Sequence, residues 1–387
     1  MKKLLTTLLA CFMLVGLVAC SNNDAKPKTT PSSTETPGAE AVEYKIAMVT
    51  DYGDITDQSF NQTTYEACRD FADENGLEFT YFKPADNATP ERIAMIESAI
   101  DEGYNIIVTP GFAFGEALVE VAPNYPDVKF VALDVSEGDF LGTKKVENLD
   151  FMATNVYSMI YQEELCGYMA GYAAVKLGYR ELGFLGGMAV PAVVRYGYGF
   201  LQGADDAAAE LDVDVNVNYA YGGQFFGDAD ITAAMDTWYN NGTEVVFACG
   251  GGIFTSAAEA AAKVNGKVIG VDVDQAPTID AYGEGMTVTS AQKGLYASTI
   301  HALKTIVLEN NWESLVGKID VLGIVSDDPE LNYVGIPAST QWSETFTEED
   351  YKALVKEMHA GNIVVSNNVE EMPEVSRIVV NDLGKLK

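Results

Sequence analysis

The chain of 387 residues sets 24 Lys and Arg against 57 Asp and Glu, a net charge of −33 at neutral pH. A balance that acidic argues against nucleic acid and against anionic membrane surfaces as electrostatic partners. With 48% apolar residues, 10% aromatic residues and 35 Gly, the composition is that of a packed globular protein, and its length is too great for one small core, so two lobes of ordinary size are expected.

Residues 1–20 read as a secretory leader. Lys2-Lys3 precede an apolar run from Leu4 to Ala19, broken by Thr6, Thr7 and Gly16, and the stretch closes on Leu17-Val18-Ala19-Cys20. A small residue directly before Cys resembles the lipobox of bacterial lipoproteins, in which the sulfur takes a diacylglyceryl group. Cys20 is therefore the expected lipid attachment, and the extracytoplasmic face of the bacterial cell membrane the expected location. Residues 21–41, with Pro27, Pro31 and Pro37 among small polar residues, have almost nothing to bury and are expected to form a flexible tether. Beyond it, Cys68, Cys166 and Cys249 are odd in number and form no C-x-x-C pair, so buried, inert thiols are expected rather than a disulfide framework or a zinc site.

The body alternates strands and helices. A β-rich run over 45–50 is followed by helical spacing over 58–74. Strands are expected next over 78–82, 105–109 and 129–133, with helices over 90–100 and 115–121. A helix over 162–177 leads to a strand over 182–185 and a helix over 200–211. Strands over 216–221, 244–248 and 267–271 complete the pattern, which implies parallel sheets with helices on both faces.

An internal repeat organises these elements. Lys129-Phe-Val-Ala-Leu-Asp134-Val135 aligns with Lys267-Val-Ile-Gly-Val-Asp272-Val273, and upstream Val108-Thr-Pro-Gly111 aligns with Ala248-Cys-Gly250. Each pair is a strand followed by a turn. The repeat predicts two similar α/β lobes facing one another, with Asp134 and Asp272 entering one cleft from opposite sides, because ligands of open α/β sheets sit beyond the carboxyl ends of the strands.

Catalytic motifs are sparse. His301 and His359 lie in helix-like stretches with no nucleophile setting. Gly197-x-Gly199-x-x-x-Gly203 lacks the strand and turn of a dinucleotide site and reads as close helix packing. Gly250-Gly251-Gly252 follows a strand, where it either offers backbone N–H groups to an oxygen-rich ligand or makes a tight turn. Neither Asp51, Asp54 and Asp57 nor Asp212 to Asn218 has the pattern of a calcium loop; no metal, cofactor or catalytic residue is expected. The segment from Asp51 to Gln62 reads in two ways: a carboxylate, an aromatic and an amide lining one cleft wall, or Asp57 or Ser59 capping a helix whose Phe60 is core.

These residues resemble the basic membrane protein family of substrate-binding lipoproteins, whose best-understood members are purine nucleoside receptors of ABC transporters. The resemblance runs from about Val42 to Lys293. It rests on Asp51-x-Gly53-x-x-x-Asp57-x-Ser59-Phe60-Asn61-Gln62, Pro126-Asp127-Val128-Lys129-Phe130 leading to Asp134, Phe184-x-Gly186-Gly187, and Gly199-Phe200-x-x-Gly203. It continues with Tyr221-x-Gly223-x-x-Phe226-x-Asp228, Gly250-Gly251 and Ile269-Gly270-Val271-Asp272-x-Asp274-Gln275.

The resemblance implies a type I periplasmic-binding-protein fold, two doubly wound parallel-sheet lobes around a ligand cleft and joined by three crossings. The expected lobes are 42–154 plus 288–318, and 155–287 plus 319–387. It further implies a non-catalytic receptor that delivers inosine, guanosine or adenosine to an ABC permease, held to the membrane by its N-terminal lipid. The carried-over ligand residues are Phe60 and Phe226 for stacking, Asp51, Asn61 and Asp134 on the first lobe, Asp272 and the Gly250 turn on the second, and Lys293 from the crossing. Phe225 competes with Phe226 for the second aromatic place. The chain departs from the family around Gln224-Phe225-Phe226 and at Ile253-Phe254, which leaves a sugar or other cyclic metabolite open as ligand, and a surface nucleoside-processing enzyme as the alternative of another class.

Overall fold

A computed structural model describes residues 43–386; the leader, Cys20 and the tether lie outside the described residues. In chain order the first half comprises β1 (Lys45–Val49), α1 (Phe60–Asn75), β2 (Glu78–Phe82), α2 (Thr89–Asp101), β3 (Ile106–Pro110) and α3 (Phe114–Val121). It continues with β4 (Lys129–Leu133), α4 (Glu137–Leu141), α5 (Met152–Asn155) and β5 (Val156–Tyr161). Next come α6 (Glu163–Lys176), β6 (Glu181–Gly186), α7 (Pro191–Leu211), β7 (Val215–Tyr221), α8 (Ala229–Asn240), β8 (Val245–Cys249), α9 (Phe254–Ala262), β9 (Lys267–Asp272), α10 (Ala276–Ile279) and β10 (Thr287–Lys293). The chain ends with α11 (Leu295–Val307), β11 (Ile319–Leu322), β12 (Val334–Gly335), α12 (Glu348–His359) and β13 (Ile378–Lys385).

Two sheets result, in the orders β11-β5-β4-β3-β1-β2 and β12-β10-β9-β8-β6-β7-β13. All pairings are parallel except β10 with β12. The central strands are continuous apolar runs, β3 and β8 being buried at every residue, because helices cover both faces of a parallel sheet. Strand order reverses between β1 and β3 in one sheet and between β6 and β8 in the other, and such a reversal opens a crevice beyond the strand ends. The repeat is real in three dimensions. β4 and β9 hold equivalent places, Asp134 and Asp272 both turn into the left-handed region (φ 59° and 65°), and Gly111 and Gly250 do so at the ends of β3 and β8 (φ 121° and 142°).

Glycines fix how α6 meets α7. A Cβ on Gly199 would stand 2.1 Å from the Glu164 carbonyl oxygen, and one on Gly203 2.0 Å from that of Tyr168, so the helices cross in backbone contact. The Gly197–Gly203 stretch is thus a packing surface inside α7, as its sequence context indicates, although α7 begins nine residues before Phe200, at Pro191. Cys68, Cys166 and Cys249 are buried and free.

The chain passes between the lobes three times, at Gln162, at Gly294 and across 323–333. Backbone bonds tie these crossings side by side: Gln162 N–H to Leu322 O (2.9 Å), Gly294 N–H to Tyr333 O (2.7 Å) and Tyr333 N–H to Gly323 O (3.0 Å). The expected boundaries need correction. β5 pairs with β4 and stays in the first lobe, β10 pairs with β9 and stays in the second, and β11, expected in the second lobe, pairs with β5 in the first. Each strand runs to its end before the chain crosses, and the sheet it joins is decided by its pairing partner rather than by its own residues.

Candidate functional site

The carboxyl ends of β1, β3 and β4 face those of β6, β8 and β9 around a cavity of about 400 Å³, a size suited to a small organic ligand. All eight residues singled out in the sequence border it. Asp51, Phe60, Asn61 and Asp134 come from the first lobe, and Phe226, Gly250, Asp272 and Lys293 from the second.

On the first lobe the turn after β1 folds back on itself. Asp51 Oδ1 accepts from Tyr52 N–H (2.6 Å) and Gly53 N–H (2.7 Å). Burial pushes this carboxyl up, and those two N–H groups with the Arg92 charge pull part of the way back. Gly53 and Gly111 keep the turn open: a Cβ on Gly53 would stand 2.3 Å from Asn61 Nδ2, and one on Gly111 3.3 Å from Asp51 Oδ2. Asp57 is the residue that caps α1. Its carboxylate accepts from the backbone N–H of Ser59 (2.9 Å), Asn61 (3.0 Å) and Gln62 (3.1 Å), whereas the Ser59 side chain makes no cap bond. Burial lifts Asp57 to about 6 against those donors. The cap holds Phe60 and Asn61 at the start of the helix, where both face the cavity; the two sequence readings of this segment are therefore compatible.

Lys293 is the electrostatic centre. Its ammonium, 3% exposed, lies 2.5 Å from Asp134 Oδ2, 3.3 Å from Glu163 Oε1 and 3.8 Å from Asp272 Oδ1. It also stands 4.7 Å from the Phe60 ring centroid, 5.3 Å from that of Tyr161 and 5.7 Å from that of Tyr196. Burial alone would lower its pKa; the three carboxylates outweigh burial and raise it. Burial in turn raises Asp134, which Lys293 pulls back and Glu163 pushes further. Two acceptors at the cavity are buried with no hydrogen-bond partner, Asn61 Oδ1 and Asp134 Oδ1. Buried oxygens left so carry a cost that a donor on a ligand removes.

Arg195 and Tyr196, which border the cavity, and the buried Glu163, which contacts Lys293, went unread in the sequence. Glu163 is fully buried and takes Arg195 Nε at 2.7 Å, so a charge chain runs Arg195, Glu163, Lys293, Asp134. Tyr196 O–H reaches Asp272 Oδ1 at 3.3 Å. A partial signal was present: Glu163 and Glu164 open α6 ahead of a stretch without charge up to Lys176, and Arg195 is the one charge of α7 before Asp205. Of the adjacent phenylalanines, Phe225 packs against the glycine turns, a Cβ on Gly187 falling 2.3 Å from its ring and one on Gly250 2.8 Å. Phe226 is 56% exposed beside the cavity.

Two α/β lobes on a three-stranded hinge thus flank the cleft. The architecture is that of ABC-transporter solute-binding proteins from Aeropyrum pernix K1 (TM-score 0.64, 21% identity, 84% of this chain and 88% of the other) and Conexibacter woesei DSM 14684 (TM-score 0.63, 19% identity, 84% and 99%). The chain belongs to the Bmp family, PnrA-like ABC transporter substrate-binding proteins, whose model matches residues 44–362. The family and these structural neighbours are binding proteins, not enzymes.

Among relatives, the chain is 29% identical over 272 residues (67% of this chain, 70% of the other) to the ABC transporter nucleoside-binding protein BmpA of Lactococcus lactis subsp. cremoris. It is 24% identical over 304 residues (75% and 83%) to basic membrane protein B of Borreliella afzelii. An uncharacterized lipoprotein of Pyrococcus abyssi is 26% identical over 363 residues (91% and 81%). Among the described residues, no helix is long and apolar enough to cross a membrane.

Proposed function

We propose that this protein is a lipid-anchored receptor, tethered through Cys20 to the outer face of the cell membrane, that captures a purine nucleoside between its lobes and passes it to an ABC permease. The observation that carries the ligand class is the pair of unpartnered buried acceptors, Asn61 Oδ1 and Asp134 Oδ1, beside the Phe60 ring and the Lys293 ammonium. A nucleoside brings what these groups lack: N–H and O–H donors along its edges and a flat π-face. In this reading Phe60 and Phe226 hold the base from opposite lobes, and Asp51, Asn61 and Asp134 accept from its edge and from the ribose. Asp272, Lys293 and the Gly250 turn complete the second wall. The naming of the Lactococcus relative as nucleoside-binding supports the same class.

A thermal-shift screen of the purified protein against nucleosides, free bases and sugars tests the reading. A ligand at about 100 times its Kd stabilises the fold by roughly 2.7 kcal/mol. Inosine, guanosine or adenosine should raise the midpoint and free sugars should not. A response to sugars alone would replace the nucleoside with a sugar as cargo.

A further inference from the structure

The segment that enters α1 and the segment that leaves β9, both part of the family resemblance, also meet each other. Gln58 and Ser59, just before α1 on the first lobe, face Asp272, the last residue of β9, and Gln275, just after it, on the second. Ser59 Oγ donates to Asp272 Oδ2 at 2.5 Å, and Gln275 Nε2 donates to the Gln58 carbonyl oxygen at 3.0 Å. Ser59 is 0% and Gln275 1% exposed. Neither they nor Gln58 border the cavity, whereas Asp272 does, so the Gln275 bond forms beside the ligand space and the Ser59 bond at its edge.

Each half of this contact is fixed on its own lobe. Asp57 accepts from Ser59 N–H. Gln275 Oε1 accepts from Val271 N–H (2.9 Å) and its own N–H donates to Ser290 Oγ (3.1 Å). The backbone turns sharply at both partners: Gln58 (φ 56°) and Asp272 (φ 65°) are in the left-handed region, uncommon for Gln and more readily adopted by Asp.

We infer that Ser59, Gln58 and Gln275, with Asp272, form an interlobe latch whose closing bonds do not pass through the ligand. Ser59 and Gln275 are positioning residues: they set the fraction of closed protein and the rate at which cargo leaves, without touching it. The latch rests on the receptor reading only for its effect on cargo; its effect on the empty protein stands alone.

Two variants on different lobes test it. Gln275→Glu keeps the acceptor for Val271 N–H but sets a second oxygen against the Gln58 carbonyl. Ser59→Ala removes the donor to Asp272 and keeps the bond from its N–H to Asp57. Spin labels on cysteines introduced at the exposed positions Ala85 and Ala229, one per lobe, report interlobe distance, while Cys68, Cys166 and Cys249 are buried. Without ligand, both variants should shift toward longer distances. With inosine, release should quicken roughly threefold to tenfold at little change in association rate, as expected for the loss of one net hydrogen bond from the closed state. Unchanged distances in the variants would overturn the latch, and a folding defect in one leaves the other to decide. If no nucleoside binds at all, the ligand reading fails, while the distances of the empty protein still decide the latch.

Discussion

Phe60 does two things at once: one neighbour of its ring is the Lys293 ammonium at 4.7 Å, and the ring also borders the cavity. Lys293 is a poor probe of binding, because removing it leaves Asp134, Glu163 and Asp272 buried without their shared cation, a loss of about 3–5 kcal/mol in stability when one partner of a buried pair is taken away. Phe60→Ala is cleaner, since the carboxylates keep their lysine. If Phe60 stacks on the base as proposed, calorimetric titration should show nucleoside affinity weakened about fivefold to a hundredfold. An unchanged affinity would remove Phe60 from the base-binding wall.

At the scale of elements, the site depends on α6 and α7, because Glu163 opens one and Arg195 and Tyr196 lie in the first turns of the other. Glycines at their crossing let the two helices approach in backbone contact, and Glu163 bonds Arg195 across the same pair of helices at 2.7 Å. Gly203→Ala places a Cβ 2.0 Å from the Tyr168 carbonyl oxygen and must push the helices apart. Denaturant unfolding should show a loss of about 1–3 kcal/mol, typical of an overpacked interior. The glycines were legible in the sequence as a packing surface, and so were the paired strand ends at Asp134 and Asp272, because both features are local. The homes of β5, β10 and β11 were not: β11 is four residues long, and only its pairing with β5 assigns it to a lobe. The charge chain was missed for the same reason. Its members are far apart in sequence, and only the crossings at Gln162 and Gly294 bring Glu163 and Lys293 together beside Asp134.

For the whole molecule, burial of carboxyls makes pH act on stability and on binding in opposite directions. Burial lifts Asp57 to about 6 and Glu164 to about 7, and raises Asp51 and Asp134 as well. A carboxyl whose folded value exceeds its unfolded one holds more protons when folded, so the stability it contributes is full below the unfolded value and is lost as pH rises through the folded one. Glu163 has the opposite sign: burial would raise it, but Arg195 and Lys293 outweigh burial and lower it, so its contribution is lost only at more acid pH. The empty protein should therefore unfold at a higher temperature near pH 5 than near pH 8, by a few degrees, and weaken again below about pH 4. Protonation also relieves the self-repulsion of a chain with a net charge of −33. Binding should run the other way. Asp134 pairs with Lys293 as a carboxylate, and if, as proposed, it also accepts from cargo, nucleoside affinity should fall as pH drops through about 6. Thermal unfolding and calorimetric titration across pH 4.5 to 8 read both slopes on one sample. An affinity that rose on acidification would show that the ionised Asp134 is not an acceptor for the cargo, and a midpoint that fell steadily from pH 8 to pH 5 would show that these carboxyls are already relieved of the cost of burial.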